Sequence, residues 1–229
     1  MFNIDLEGLL SLVIAVVLAM SIHEMAHGLV SYWLGDPTAK MQGRISLNPF
    51  AHVDWLGVLC LLLFHFGWAK PVPIDASYYK DRKTGIIWTS FAGPFANFLL
   101  AFVCILIYFL IFRLTPQFAL TGIGTFIMST LSTSATLNIG FGLFNLIPVP
   151  PLDGSKILFA FLPDDQYYRF IEGSPFFMLV LILLIYMNVL NVPLAMLQNN
   201  ILQFFINSIL IIINDLIIFI NISSMILGL

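Results

Sequence analysis

From Gly8 to Leu34 the chain is almost free of charge and long enough to cross a hydrocarbon core about 30 Å thick, yet His23-Glu24-Met25-Ala26-His27 lies inside that run. Ionisable groups at membrane depth are costly, so side chains of this kind point to a function. On a helix, positions four apart share a face, and the imidazoles of His23 and His27 can therefore hold one zinc ion. Glu24, beside the first of them, can take a proton from water at that ion as general base and return it to a leaving amine. Those roles suit hydrolysis of a peptide bond. At 1.5 Å per residue His23 lies about 22 Å along the run, in its C-terminal third.

Composition agrees with a membrane setting: 60% of the 229 residues are hydrophobic and 9% charged, with a mean hydropathy of +0.99. A formal charge of -3 with no long basic run gives no reason to expect nucleic acid as a partner. Cys60 and Cys104 sit in apolar runs and read as small core hydrophobes. Asp5 and Glu7 without a basic residue make a cleaved leader unexpected, since cleavage would also discard the histidine motif.

Four further runs are long enough to span: Ile86 to Phe112, Ala119 to Ile147, Phe176 to Leu197 and Ile201 to Ile222. Trp55 to Ala69 is shorter, about 21 Å as a helix, and basic residues flank it at both ends, so it reads as a re-entrant or shallow segment. Residues 41 to 47 alternate enough to suggest a short strand, an edge that could hold an unwound substrate. The expected fold is therefore an all-α polytopic membrane protein: five full transmembrane helices, one short re-entrant segment, and a small β-hairpin or strand near the motif. It forms one domain, residues 1–229, with a core at 8–160 and accessory or gating helices at 174–222.

A catalytic zinc needs a third protein ligand and an open position. If the N-terminus is outside, the histidines and the basic loops lie at the cytoplasmic face. With Trp55 to Ala69 not crossing, Asp153 returns to that same face. Asp153 follows Pro148-Val149-Pro150-Pro151, whose prolines break the helix and free backbone carbonyls that membrane depth tolerates only against protein or a wet cavity. Asp215 is the alternative, an acid in the last span. His52 reads as a loop or gate residue, and His65 has no helical spacing to a useful partner.

The residues resemble those of the site-2 protease family of intramembrane zinc metalloproteases. The likeness rests on His23-Glu24-Met25-Ala26-His27, Gly93-Pro94-Phe95-Ala96-Asn97 and Asn145-Leu146-Ile147-Pro148-Val149-Pro150-Pro151-Leu152-Asp153-Gly154, in that order. Gly43 to Pro49 and Gly67 to Pro73 also look like small bacterial or archaeal members. The resemblance implies zinc held by His23, His27 and Asp153, Glu24 as acid and base, and Asn97 and Asn145 positioning substrate or stabilising the oxyanion. It implies cleavage within or next to the spans of single-span membrane proteins, in a cell membrane, near the cytoplasmic face. A regulatory membrane protein or a second copy would be its protein partners. No PDZ insertion or nucleotide-binding tail is recognisable. Three rivals remain: an inactive scaffold of the same fold, against which the intact Glu24 argues; a metal transporter, which would spread ligands along a path; and a prenyl-protein type protease, which would need Glu172 as third ligand.

Overall fold

In lipid only helices and closed barrels satisfy every backbone N–H and C=O, and every regular element that the computed structural model describes, over residues 6–52, 54–64, 70–171 and 175–227, is helical. In chain order these are α1 (Leu6–Trp33), α2 (Thr38–Met41), α3 (Trp55–Phe64), α4 (Arg82–Leu114), α5 (Pro116–Ala119), α6 (Gly122–Asn145), α7 (Asp153–Phe159), α8 (Asp164–Ile171), α9 (Pro175–Tyr186) and α10 (Asn191–Leu227). Short 3-10 turns occupy Pro49–Ala51 and Ala76–Tyr78.

The expected span count is corrected. Among the described residues three helices are long and apolar enough to cross a membrane, Leu6–Trp33, Arg82–Leu114 and Asn191–Asp215, and a fourth arises only if the bent pair Asp165–Ile171 and Phe176–Tyr186 is counted as one span. The reason lies in composition and length. Gly, Ser, Thr and Asn in α6 dilute its hydropathy, and α9 is only 12 residues long. The 10 residues of α3 rise about 15 Å, too little to span. His65 and Glu172 lie outside the described residues.

The strand or hairpin is also absent among the described residues. Met41 belongs to α2, Gly43 adopts φ +66°, and the Arg44 N–H donates to Ala39 O at 2.8 Å. A helix end and a left-handed glycine therefore replace the extended backbone that alternation in residues 41–47 suggested.

Helices α1, α4 and α6 form the centre, with α10 against α4 and α6 and α7 against α4. Their contacts follow ridges of every fourth residue. On α1 the buried series is Ser11, Ala15, Ala19, His23, His27, Ser31. On α4 it is Gly85, Thr89, Gly93, Asn97, Ala101, Ile105, and on α6 it includes Ser134, Asn138 and Gly142. Small side chains let the backbones approach: a Cβ on Gly142 would stand 3.1 Å from Pro94 O. Ser11 and Thr130 hydroxyls, 2.9 Å apart, tie α1 to α6 at the far end. An apolar cluster of Cys104, Ile105, Ala135, Ile209 and Ile213 seals α10 against the bundle.

Past α1 the chain turns at Gly35, whose φ of +108° suits a residue without Cβ. Asp36 then gathers the loops. Fully buried, it accepts from Ser31 Oγ, Thr38 N and Asp75 N, each at 2.8 Å. Burial pushes its carboxyl up, but the donors of Thr38, Asp75 and Ser31 outweigh that and hold it below the usual carboxylate range. Asp36→Ala would orphan those donors and should cost about 2–4 kcal/mol of stability. Because the folded pKa is the lower one, Asp36 stabilises the fold above its unfolded value near 4 and this is lost as pH falls through the folded value. Thermal unfolding in detergent should therefore show a steeper acid loss for wild type than for Asp36→Asn.

Candidate metal centre

The four-residue spacing on α1 carries His23 and His27 into the angle between α4 and α7. Their Nε2 atoms stand 3.0 Å apart, and Asp153 Oδ2 lies 3.0 Å from the first and 3.1 Å from the second. All three side chains are buried. Asp153 begins α7 and returns to α1 through the proline-rich turn; a Cβ on Gly154 would collide with Leu146 O, so only glycine allows that turn to close.

The imidazole tautomers follow from hydrogen bonding. His27 Nδ1 donates to Thr89 O at 2.6 Å, a carbonyl that can only accept. His23 Nδ1 donates to Asn97 Oδ1 at 2.6 Å. The amide of Asn97 cannot be reversed, because its Nδ2 donates to Ala19 O at 3.1 Å and to Asn138 Oδ1 at 2.7 Å. Asn138 is set in turn by Ser134 O, which accepts from its Nδ2 at 2.8 Å. Both Nε2 atoms are then lone-pair acceptors, facing a carboxylate oxygen. With both rings neutral, three buried acceptors this close need a proton or a metal cation among them. Their mutual distances of 3.0–3.1 Å are near the about 3.3 Å edge of a tetrahedron of zinc ligands. Two imidazoles and a carboxylate, with no fourth protein donor among the described residues, form the donor set of a catalytic zinc site.

Gly93 completes the cradle. A Cβ there would stand 2.5 Å from His27 Nε2 and 2.6 Å from His23 Cε1, so any side chain would fill the space at the ring nitrogens. Pro94 beside it denies Ser90 O its helical donor, at a point where Ser90 lines a cavity of about 430 Å³ shared with His27, Tyr79, Lys156 and Tyr167. On the other side of the site Phe141 packs on the His23 ring, 5.0 Å between centroids. That phenyl also lines an apolar cavity of about 310 Å³ with Val16, Met20, Thr136, Phe144 and Gln198.

Glu24 is half-buried, and its Oε2 accepts from Val72 N at 2.8 Å. Val72 stands between two prolines without N–H groups, in a segment held at both ends. Lys70 N donates to His52 O at 2.9 Å, Arg44 donates to Lys70 O at 2.6 Å, and Asp75 N donates to Asp36. His52 is fully buried in this loop with Nε2 bonded to Ser46 O at 2.8 Å, and burial above all pushes its imidazole below the usual range.

The residues expected against substrate are placed differently. Asn97 is fully buried, with both amide atoms bound to protein, so it orients His23. Asn145 bonds back along its own helix, Nδ2 to Phe141 O at 3.0 Å. Asp215 is exposed on α10 and is not among the converging groups. Sequence reasoning overlooked Thr89, Gly93, Asn138 and Val72 as parts of the site. Thr89 and Gly93 lie on the fourth-residue ridge of α4 that also carries Asn97, and Asn138 on that of α6, a signal present in the sequence.

The sequence model of peptidase family M50 matches residues 11–185. A Bacillus subtilis protein named as a zinc metalloprotease, YwhC, is 34% identical over 173 residues, 76% of this chain and 78% of that one. Rip2 of Mycolicibacterium smegmatis, also named as a zinc metalloprotease, is 27% identical over 186 residues, 78% of this chain and 68% of its own. The zinc metalloprotease RasP of Bacillus licheniformis is 40% identical over 52 residues, 23% of this chain and 12% of its own. No solved structure matches.

Asn97→Leu removes the acceptor that sets His23 and should weaken metal affinity about 10–100-fold. Asn145→Leu should leave it unchanged. Competition with a chromogenic chelator measures both.

Proposed function

The chain belongs to peptidase family M50 and is a membrane-embedded zinc metallopeptidase of the site-2 protease type, and from that premise we propose that it cuts membrane-protein substrates within or next to their spans, with His23, His27 and Asp153 holding the zinc and Glu24 as acid and base. The observation that carries this is the convergence of two oriented Nε2 atoms and one carboxylate oxygen at 3.0–3.1 Å, buried, with a glutamate next to the first histidine.

When bound there, zinc supplies a Lewis acid that polarises a peptide carbonyl and acidifies water. Asn97 and Thr89 keep both imidazoles in the tautomer that presents Nε2. Val72 N–H holds one oxygen of Glu24 and leaves the other to take a proton from the attacking water and pass it to the leaving amine. A substrate helix hides its peptide groups in its own hydrogen bonds, and lipid does not tolerate their exposure. The site answers this by lying between an apolar cavity beside α6 and a cavity lined by tyrosines, Thr89 and Lys156. The first suits entry of an apolar segment, the second suits water and departing polar ends.

Eight of the nine basic residues, all but Arg113, lie in loops or helix ends near the site, which supports the cytoplasmic face as its side. Within one membrane domain, residues 174–222 are a gate, fastened where Gln198 Nε2 donates to Thr136 O at 2.7 Å.

Co-expression with tagged single-span proteins tests the reading. Wild type should yield a shortened product from at least one candidate, and Glu24→Gln should slow its formation about 10²–10⁴-fold while zinc content is kept. Equal processing by both forms would support the inactive scaffold instead.

A further inference from the structure

Asp153 carries two oxygens, and the site uses them differently. Oδ2 faces both histidines, whereas Oδ1 lies 2.9 Å from Lys156 Nζ. We propose that Lys156 is a positioning residue that restricts Asp153 to one-oxygen ligation and so keeps the remaining position at the metal free for reaction; this rests on the ligand set proposed above.

A carboxylate is a two-toothed ligand unless something occupies its second oxygen. An ammonium does so strongly, because its hydrogen bond to a carboxylate is charge-assisted. The covalent geometry makes the partnership local: Lys156 follows Asp153 by three residues on α7, on the same helix face. Gly154 and Ser155 between them are buried, and Ser155 Oγ bonds Leu152 O at 2.6 Å, so the turn presenting both charges is fastened to its own start. The Lys156 side chain is 37% exposed, against 7% for Asp153, and it lines the cavity that also reaches His27. The lysine thus approaches the carboxylate from the cavity side and leaves the histidine side clear. Its charge also offsets that of Asp153, which an otherwise neutral pair of imidazoles would leave uncompensated until metal arrives.

Cobalt(II) in place of zinc makes coordination number visible, because its visible absorption is intense with four ligands and weak with five. The full chain, purified in detergent, is loaded with cobalt as wild type, Lys156→Met and Lys156→Arg, and its affinity is read by chelator competition. Wild type should give the intense band. Lys156→Met should lose at least about half of that intensity and bind cobalt about 10–100-fold more weakly, and Lys156→Arg should restore the intensity to within about a tenth of wild type and the affinity to within about threefold. A fall in affinity with unchanged band shape and intensity would leave only a structural role and overturn the proposal, as would a five-ligand band in wild type. If Lys156→Met does not fold, Lys156→Ala is read against the same criteria. Failure of the ligand set itself looks different: wild type binds no cobalt, or Asp153→Asn leaves the spectrum unchanged.

Discussion

Three buried electron-pair acceptors held 3.0–3.1 Å apart are the constraint on which the rest of this molecule depends. Such an arrangement is repulsive unless a cation is present, and it persists only where the surrounding structure determines it. The determination is traceable. Each imidazole is turned by a bond on its far nitrogen, and each of those bonds is anchored in a backbone carbonyl that cannot change role: Thr89 O directly, and Ala19 O and Ser134 O through Asn97 and Asn138. Four helices, α1, α4, α6 and α7, must meet for this to close.

That meeting explains the unusual makeup of the central helices. Interhelical hydrogen bonds in membranes stabilise by only about 0.6 kcal/mol on average, so Asn97 and Asn138 do not draw the bundle together. An unsatisfied amide would cost several kcal/mol, so the bonds are required once the amides are there. Association comes instead from close packing of Ala, Gly and Ser ridges and from the apolar seal of α10. Gly93 shows both purposes in one residue: the same missing Cβ that lets α4 approach α1 leaves room beside His27 Nε2 and His23 Cε1.

The flanking cavities give the site its two environments. Phe141 stands between the His23 ring and the apolar space beside α6 and α10, while Tyr79, Thr89 and Lys156 line the space beyond His27. Loop anchoring keeps the second space in shape, since Tyr79 OH is bonded to both Ser31 and Thr89, and Ser31 to Asp36. The segment holding Glu24 is tied to the same network through Asp75.

Much of this was legible in the chain itself. Hydropathy placed helices in lipid, i and i+4 spacing put two imidazoles on one face, and the proline break before Asp153 marked where a carboxylate could leave a helix; each depends on neighbours in sequence. The span count failed because polarity in α6 and brevity in α9 make a hydropathy-length test ambiguous, and the strand failed because a left-handed Gly43 outweighs the alternation of residues 41–47. The use of Asn97 for orientation, the hold of Val72 on Glu24 and the meeting of Asp153 with both histidines were decided only in three dimensions. Hydrogen-bond direction depends on groups 41 to 130 residues apart, and local pattern carries no record of which of them will face one another.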